Sequence, residues 1–156
     1  MITDLWRECD SCLTHLSSWP HQIKPYAIGK HEAVKATKEG IRLPNDLYIR
    51  YPELRCTDGK YTYKSRRGVT SIWGGAMVEN VVQALARIIV GEQMLKIRER
   101  YRPVLTVHDA AVIVVPEVEV DQALAFITEV MSTPPEWATG LPVACEAKYG
   151  ASYGDC

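Results

Sequence analysis

The run Val104-Leu105-Thr106-Val107-His108-Asp109-Ala110-Ala111-Val112-Ile113-Val114-Val115-Pro116 decides how the rest of the chain is read. Val, Ile and Thr dominate it, and β-branched side chains favour strands because they pack well on a pleated surface. Pro116 has no backbone N–H to donate and ends the run. His-Asp-Ala interrupts it at the centre. The pattern predicts a tight β-hairpin, with Val104–Val107 going up, a turn at His108–Ala110 and Ala111–Val115 coming down. Its apolar character predicts two buried strands that anchor a sheet. The tip holds out one carboxylate, Asp109, and two readings of it stand side by side. Aspartate is a common turn residue, because its side chain bonds nearby backbone N–H groups. A carboxylate on a rigid tip also suits Mg²⁺, which takes one or two carboxylates and fills its remaining positions with water and substrate phosphate.

The chain has 156 residues, enough for a single domain with a sizeable core. It shows no internal repeat and no low-complexity segment. The formal net charge of −1 does not advertise a polyanionic partner. Its distribution says more. From Arg42 to Arg67 there are seven Lys or Arg against three acids, and from Pro116 to Trp137 there are five acids and no Lys or Arg. One basic and one acidic face are expected, and a local positive field is enough to attract phosphate. The five cysteines are scattered and odd in number, which argues against a disulfide framework and for a reducing compartment. Cys9 and Cys12 have CxxC spacing without a second pair, and both fall on the apolar side of a helical pattern. His15, His21 and His31 fit no metal-ligand spacing and read as exposed or capping residues. No apolar run approaches the length needed to span a membrane.

Outward from the central run, the periodicities predict the other elements. Ile2, Leu5, Trp6, Cys9, Leu13 and Leu16 recur at helical spacing, which gives an amphipathic helix over residues 1–18. A core-facing helix beginning so early leads us to expect the natural start of the domain upstream. Residues 19–40 read as irregular, broken by Pro20, Pro25 and Gly29. Ile41-Arg42-Leu43 and Leu47-Tyr48-Ile49 alternate around Pro44-Asn45-Asp46 and predict a hairpin, with a second strand pair around Asp58-Gly59. The longest helix opens at Trp73-Gly74-Gly75 and runs to about Arg100. Val78, Val82, Leu85 and Ile89 form its apolar stripe, widened by Val81 and Ile88, while Asn80, Gln83 and Arg87 form a polar one. That polar stripe reads either as a solvated face or as a rail of donors for DNA. Glu117–Met131 forms a further helix, whose first-turn acids suit the positive end of its dipole. Ser132–Pro142 is a loop, and Val143–Ala147 a last strand. Helices mixed with hairpins predict an α+β fold with an antiparallel sheet.

Thr106-Val107-His108-Asp109 resembles motif C of the family A DNA polymerases, the bacterial DNA polymerase I type. Four more blocks resemble the phage branch of that family in the same order: Gly40–Asn45, Gly74–Asn80 with Gln83–Arg87, Thr133–Trp137, and Tyr149–Asp155. The resemblance covers roughly three quarters of the chain. It implies an antiparallel palm-type sheet, with the motif C hairpin packed against long helices. It implies that Asp109 holds Mg²⁺ in a two-metal site, completed by a motif A Asp not found in this sequence. It implies that His108 sits by the primer terminus, and that Lys64, Arg66, Arg67, Gly74, Gly75, Asn80, Gln83 and Arg87 contact primer–template DNA. Ala110 stands where bacterial members carry Glu, so a supporting carboxylate is missing. Motif B, with the residues that grip the incoming dNTP, is not found either. The expectation is therefore the C-terminal palm portion of a polymerase from the cytoplasm of a phage-bearing bacterial cell. It should be inactive alone and need an N-terminal polymerase fragment or self-association. Two other classes stay open. One is a non-catalytic DNA-binding module or polymerase remnant. The other is a small metal hydrolase using Asp109 with Glu146 or Asp155.

Overall fold

Apolar residues three and four apart fold Ile2–Ser17 into helix α1, which buries Cys9, Cys12 and Leu13 and leaves Ile2 and Trp6 at the surface. The structure, a computed structural model, describes residues 2–19, 23–29 and 32–156. His21 and His31 lie outside the described residues. The chain divides into two compact units, Met1–Leu85 and Ala86–Cys156, with the division inside one long helix. Both mix helices with antiparallel sheet.

In the first unit, α1 accompanies two small antiparallel sheets. One has the order β1(Tyr26–Ala27), β2(Lys35–Thr37), β3(Gly40–Arg42) and β4(Tyr48–Ile49). The β3–β4 pair is the expected hairpin, with Ile41 opposite Ile49. Gly40 starts β3 at φ +133°, and a Cβ there would run into the carbonyl oxygen of Ile49. Strands β1 and β2 fall in the stretch read as irregular, which is a correction. They are two and three residues long, too short to show alternation, and exist only as partners in a ladder: Tyr26 lies opposite Ala36, and Ala36 opposite Ile41.

The other sheet is β5(Arg55–Thr57), β6(Lys60–Ser65) and β7(Gly68–Ile72). Asp58 and Gly59 join β5 to β6 with φ of 50° and 76°, the doubly positive backbone that a tight hairpin of this hand requires. Strand β7 was not anticipated. Ile72 is its one buried residue, so the run carries no apolar alternation. Tyr61, Tyr63 and Ile72 pack inward on a core of Cys9, Cys12, Leu13, Val34, Ala36, Ile41, Met77, Val78 and Val81.

Helix α2(Gly74–Arg98) crosses the division. Its buried side is Met77, Val78, Val81 and Ile88, whereas Val82, assigned above to the apolar stripe, is exposed. The stripe runs at spacings of three, four and seven and so sits rotated from the expected one.

The second unit holds the end of α2, the hairpin β8(Pro103–Val107) and β9(Ala110–Ile113), and helix α3(Val120–Ser132), preceded by a 3₁₀ turn at Glu117–Glu119. Ile97, Tyr101 and Ala123 form its core, with Ile113, Phe126, Ile127 and Met131 packed around them. The Arg100 guanidinium lies 5.4 Å over the Phe126 ring. Buried Gln93 donates from Nε2 to the carbonyls of Met131 (2.9 Å) and Thr133 (3.4 Å), satisfying acceptors that the end of α3 leaves open. Trp137 donates its indole N–H to the Glu92 carboxylate at 3.1 Å.

Two expectations are corrected here. The hairpin strands are not buried: Val104 and Leu105 are about half exposed and Val114 is 73% exposed. A two-stranded sheet has one face and two edges to spare, and among the described residues no third strand joins this one. Residues 143–147 form no strand, although Ala144 to Ala147 line a groove shared with β9 and α3. Their backbone makes no ladder with the hairpin, and alternation alone cannot supply a partner.

Candidate functional site

The hairpin turn consists of His108 and Asp109, with Val107 opposite Ala110 across it. His108 has φ +55°, in the left-handed region that costs a side-chain-bearing residue free energy and gathers at working sites. The pairing register slips between Pro103 and Leu105, a bulge on β8 of the kind that re-aims side chains near such sites. His108 and Asp109 are both exposed, so their placement comes from backbone geometry and not from packing. Among the described residues no group of three His, Cys, Asp or Glu stands ready to hold a metal ion. Asp109 lines a groove of about 1080 Å³ with Glu117, Asp121 and Glu146. Asp155, the other carboxylate considered for a hydrolase, instead closes a C-terminal turn by accepting from the backbone N–H and the hydroxyl of Ser152, at 3.0 and 2.6 Å. Asp109 thus supplies a single carboxylate at the tip, fewer ligands than a metal ion needs.

The basic residues occupy the three-stranded sheet of the first unit. Arg66 and Arg67 form the exposed β6–β7 turn, and among the described residues neither joins an ion pair. The Lys64 ammonium lies 3.1 Å from Glu53. Arg42, at the end of β3 in the other sheet, is held by Asp46, its Nε donating at 2.9 Å. The free positive charge is therefore narrower than the sequence count suggests.

On α2, Gln83 and Arg87 are exposed, and Gln83 donates to Glu79 at 3.1 Å. Asn80 is half-buried and its Nδ2 donates to the Tyr51 hydroxyl at 3.3 Å. Gly74 and Gly75 allow close approach, but the neighbours are protein. A Cβ on Gly74 would meet the Trp6 carbonyl oxygen and, at 2.8 Å, the Asp10 carboxylate, and one on Gly75 would enter the Trp73 ring. The Gly74 N–H donates to Asp10 at 2.6 Å, a helix cap reaching across 64 residues of sequence.

The two buried thiols behave as core. Burial raises Cys9 to about 12 and Cys12 to about 11, with the neighbouring acidic groups adding to the rise. A thiol held so firmly neutral is neither a ready metal ligand nor a nucleophile. His15, read as exposed or capping, is half-buried, with Nδ1 2.9 Å from the Tyr26 hydroxyl. The sequence carries no signal for that contact, because the partner comes from a strand eleven residues away.

The described residues thus form mixed α/β structure with antiparallel sheets, an exposed carboxylate on the tip of the hairpin in one unit and an exposed basic turn in a sheet of the other. Comparison with known proteins gives the particular relationship. A DNA polymerase of Bacillus phage SP02 is 37% identical over 118 residues, which cover 68% of this chain and 18% of the phage protein. This chain is therefore related to a phage DNA polymerase, and it spans less than a fifth of that relative's length. No family model matches it, and no solved structure matches it. Among the described residues no helix is long and apolar enough to cross a membrane.

Proposed function

We propose that this chain is the C-terminal palm part of a template-directed DNA polymerase of the family A, phage-branch type, acting in the cytoplasm of a bacterial host. The observation that carries the reading is Asp109, exposed on the tip of a bulged hairpin with His108 in a strained turn beside it, in a chain related to a phage polymerase. In this reading Asp109 is one of two carboxylates that hold a pair of Mg²⁺ ions. Bound there, the ions would supply Lewis-acid activation of the primer 3′-hydroxyl and charge neutralisation for the pyrophosphate leaving group. The second carboxylate and the residues that grip the dNTP come from another segment carrying motifs A and B. His108 steadies the sugar–phosphate of the primer end. Lys64, Arg66, Arg67, Gln83 and Arg87 meet backbone phosphates, contacts that position a duplex of any sequence. Asn80 acts through Tyr51, and Gly74 and Gly75 through the packing of the helix start.

One carboxylate alone binds Mg²⁺ weakly. The 156-residue chain by itself is expected to add no nucleotides to a primed template. Mixed with a polymerase segment carrying motifs A and B, it should restore Mg²⁺-dependent synthesis, and Asp109→Asn should cut that synthesis at least about a hundredfold, since even outer-shell partners of metal ligands are worth 10- to 100-fold. Primer extension by the lone chain, or full activity of the Asn variant, refutes the reading. The free Arg66–Arg67 turn favours a second reading, a non-catalytic DNA-binding module or polymerase remnant. That protein would hold duplex DNA unaided, with affinity falling steeply in salt, and no added segment would yield synthesis.

A further inference from the structure

At the start of α2 the first unit carries a cleft of about 560 Å³ between α1 and the β6–β7 edge, a size within the roughly 300–1,000 Å³ that small ligands occupy. Trp73 forms one side of it and is 56% exposed, which is unusual for so large an apolar ring. Its position is fixed, with Trp6 edge-on at 5.9 Å and Gly75 close beneath the ring. Polar residues line the remainder: Lys60, Ser11, Ser71 and Asp10. The Thr14 and Tyr61 hydroxyls, bonded to each other at 2.7 Å, close the wall.

Lys60 belongs to two surfaces. Along β6, Tyr61 and Tyr63 point to the core while Lys60, Thr62 and Lys64 alternate outward, and Arg55 and Ser71 stand opposite Thr62 on that same outer face. The strand carries this row about 13 Å from Lys60 to Lys64, at roughly 3.3 Å per residue, and the Arg66–Arg67 turn follows the end of the strand. A rigid exposed indole next to Lys60, with Arg66 and Arg67 in the turn at the far end of the strand and Lys64, shared with Glu53, between them, is the pairing that proteins use for unpaired nucleic-acid strands, with bases on the ring and phosphates on the cations.

We infer that the cleft takes one unpaired base of single-stranded DNA, stacked on Trp73, while the backbone of that strand follows the outer face of β6 over Lys60 and Lys64 to Arg66 and Arg67. Asp10, whose Oδ1 already accepts from Gly74, has its second oxygen to accept from an amino group of the base. A paired base has no free face to offer the indole, so the surface selects single strands. The inference shares with the proposed function the premise that Lys64, Arg66 and Arg67 meet phosphate. It adds Trp73, Lys60 and the cleft, and it needs no metal and no second segment.

The test titrates the full chain against a fluorescently labelled single-stranded DNA oligonucleotide and its duplex at low salt, reading anisotropy. Lys60→Glu, an exposed position outside the core, is expected to weaken single-strand binding at least about fivefold and flatten its salt dependence. Trp73→Leu should weaken it similarly, and circular dichroism shows whether that variant keeps its fold. Lys148→Glu, at an exposed position that does not line the cleft, should bind as the parent does. Duplex bound as tightly as single strand, or single-strand binding untouched by Lys60→Glu, overturns the inference. If a reconstituted enzyme synthesises DNA while Lys60→Glu binds normally, this inference fails and the polymerase reading stands. If binding depends on Lys60 and Trp73 but no complex extends a primer, the reverse holds.

Discussion

Gly74→Ala separates two meanings of the glycine pair. If the glycines serve only to let DNA approach, a methyl group there lowers DNA affinity and leaves stability alone. The structure places the close approach inside the protein. The new Cβ would lie 2.8 Å from the Asp10 carboxylate and nearer still to the Trp6 carbonyl, and the second of these is backbone that cannot swing aside. Relief requires α1 and α2 to separate. Overpacking of this kind costs typically ~1–3 kcal/mol. Separation also lengthens the 2.6 Å bond from Gly74 N–H to Asp10, and losing a helix cap costs about 0.5–2 kcal/mol. The sum is about 1.5–5 kcal/mol, a large share of the ~5–15 kcal/mol that holds a domain together. For a unit of this size each kcal/mol moves the midpoint by roughly 4–8 °C, so a fall of more than about 6 °C is expected for the first unit. Three of the four tryptophans, Trp6, Trp19 and Trp73, lie in that unit, so fluorescence-detected melting follows it. Asp10→Ala removes the cap but not the backbone clash, and should therefore be sub-additive with Gly74→Ala, because the cap is lost only once. A Gly74→Ala protein that melts within 2 °C of the parent, or strict additivity in the double variant, refutes the reasoning.

Cys9 and Cys12 have folded-state values raised above the ordinary thiol value of 9.0, so the neutral thiols favour the fold. That contribution is complete below pH 9 and is lost as pH climbs toward 11 and 12, and denaturant midpoints measured from pH 8 to 11 should fall accordingly. At pH 8 a thiol reagent should modify exposed Cys56 and Cys156 promptly and Cys9 and Cys12 only on unfolding; four or five fast thiols would contradict this. Gln93→Leu strands the carbonyls of Met131 and Thr133 and should destabilise the second unit by about 1–3 kcal/mol, read by chemical denaturation. Val114→Thr, at a position 73% exposed, should change stability by less than about 0.5 kcal/mol; a larger loss would mean the hairpin is more buried than described.

The sequence by itself determined the elements whose signals are local. The 3.6-residue period wrote α1, α2 and α3 into the chain, the Asp58-Gly59 pair dictated its hairpin, and the β-branched runs around His108-Asp109 fixed the turn that carries the carboxylate. Local order along the backbone suffices for these, because each is decided by neighbours within a few residues. What needed the tertiary structure was everything set by a distant partner. Strands β1 and β2 exist only as a ladder, Asp10 caps a helix 64 residues away, and Asn80 is claimed by Tyr51 instead of facing outward. Burial of the hairpin was likewise beyond the sequence: apolar composition states what a strand can bury, and only the strands packed against it determine what it does bury. Half-exposed Val104 and Leu105 are the result here, on a two-stranded sheet that no third strand among the described residues joins.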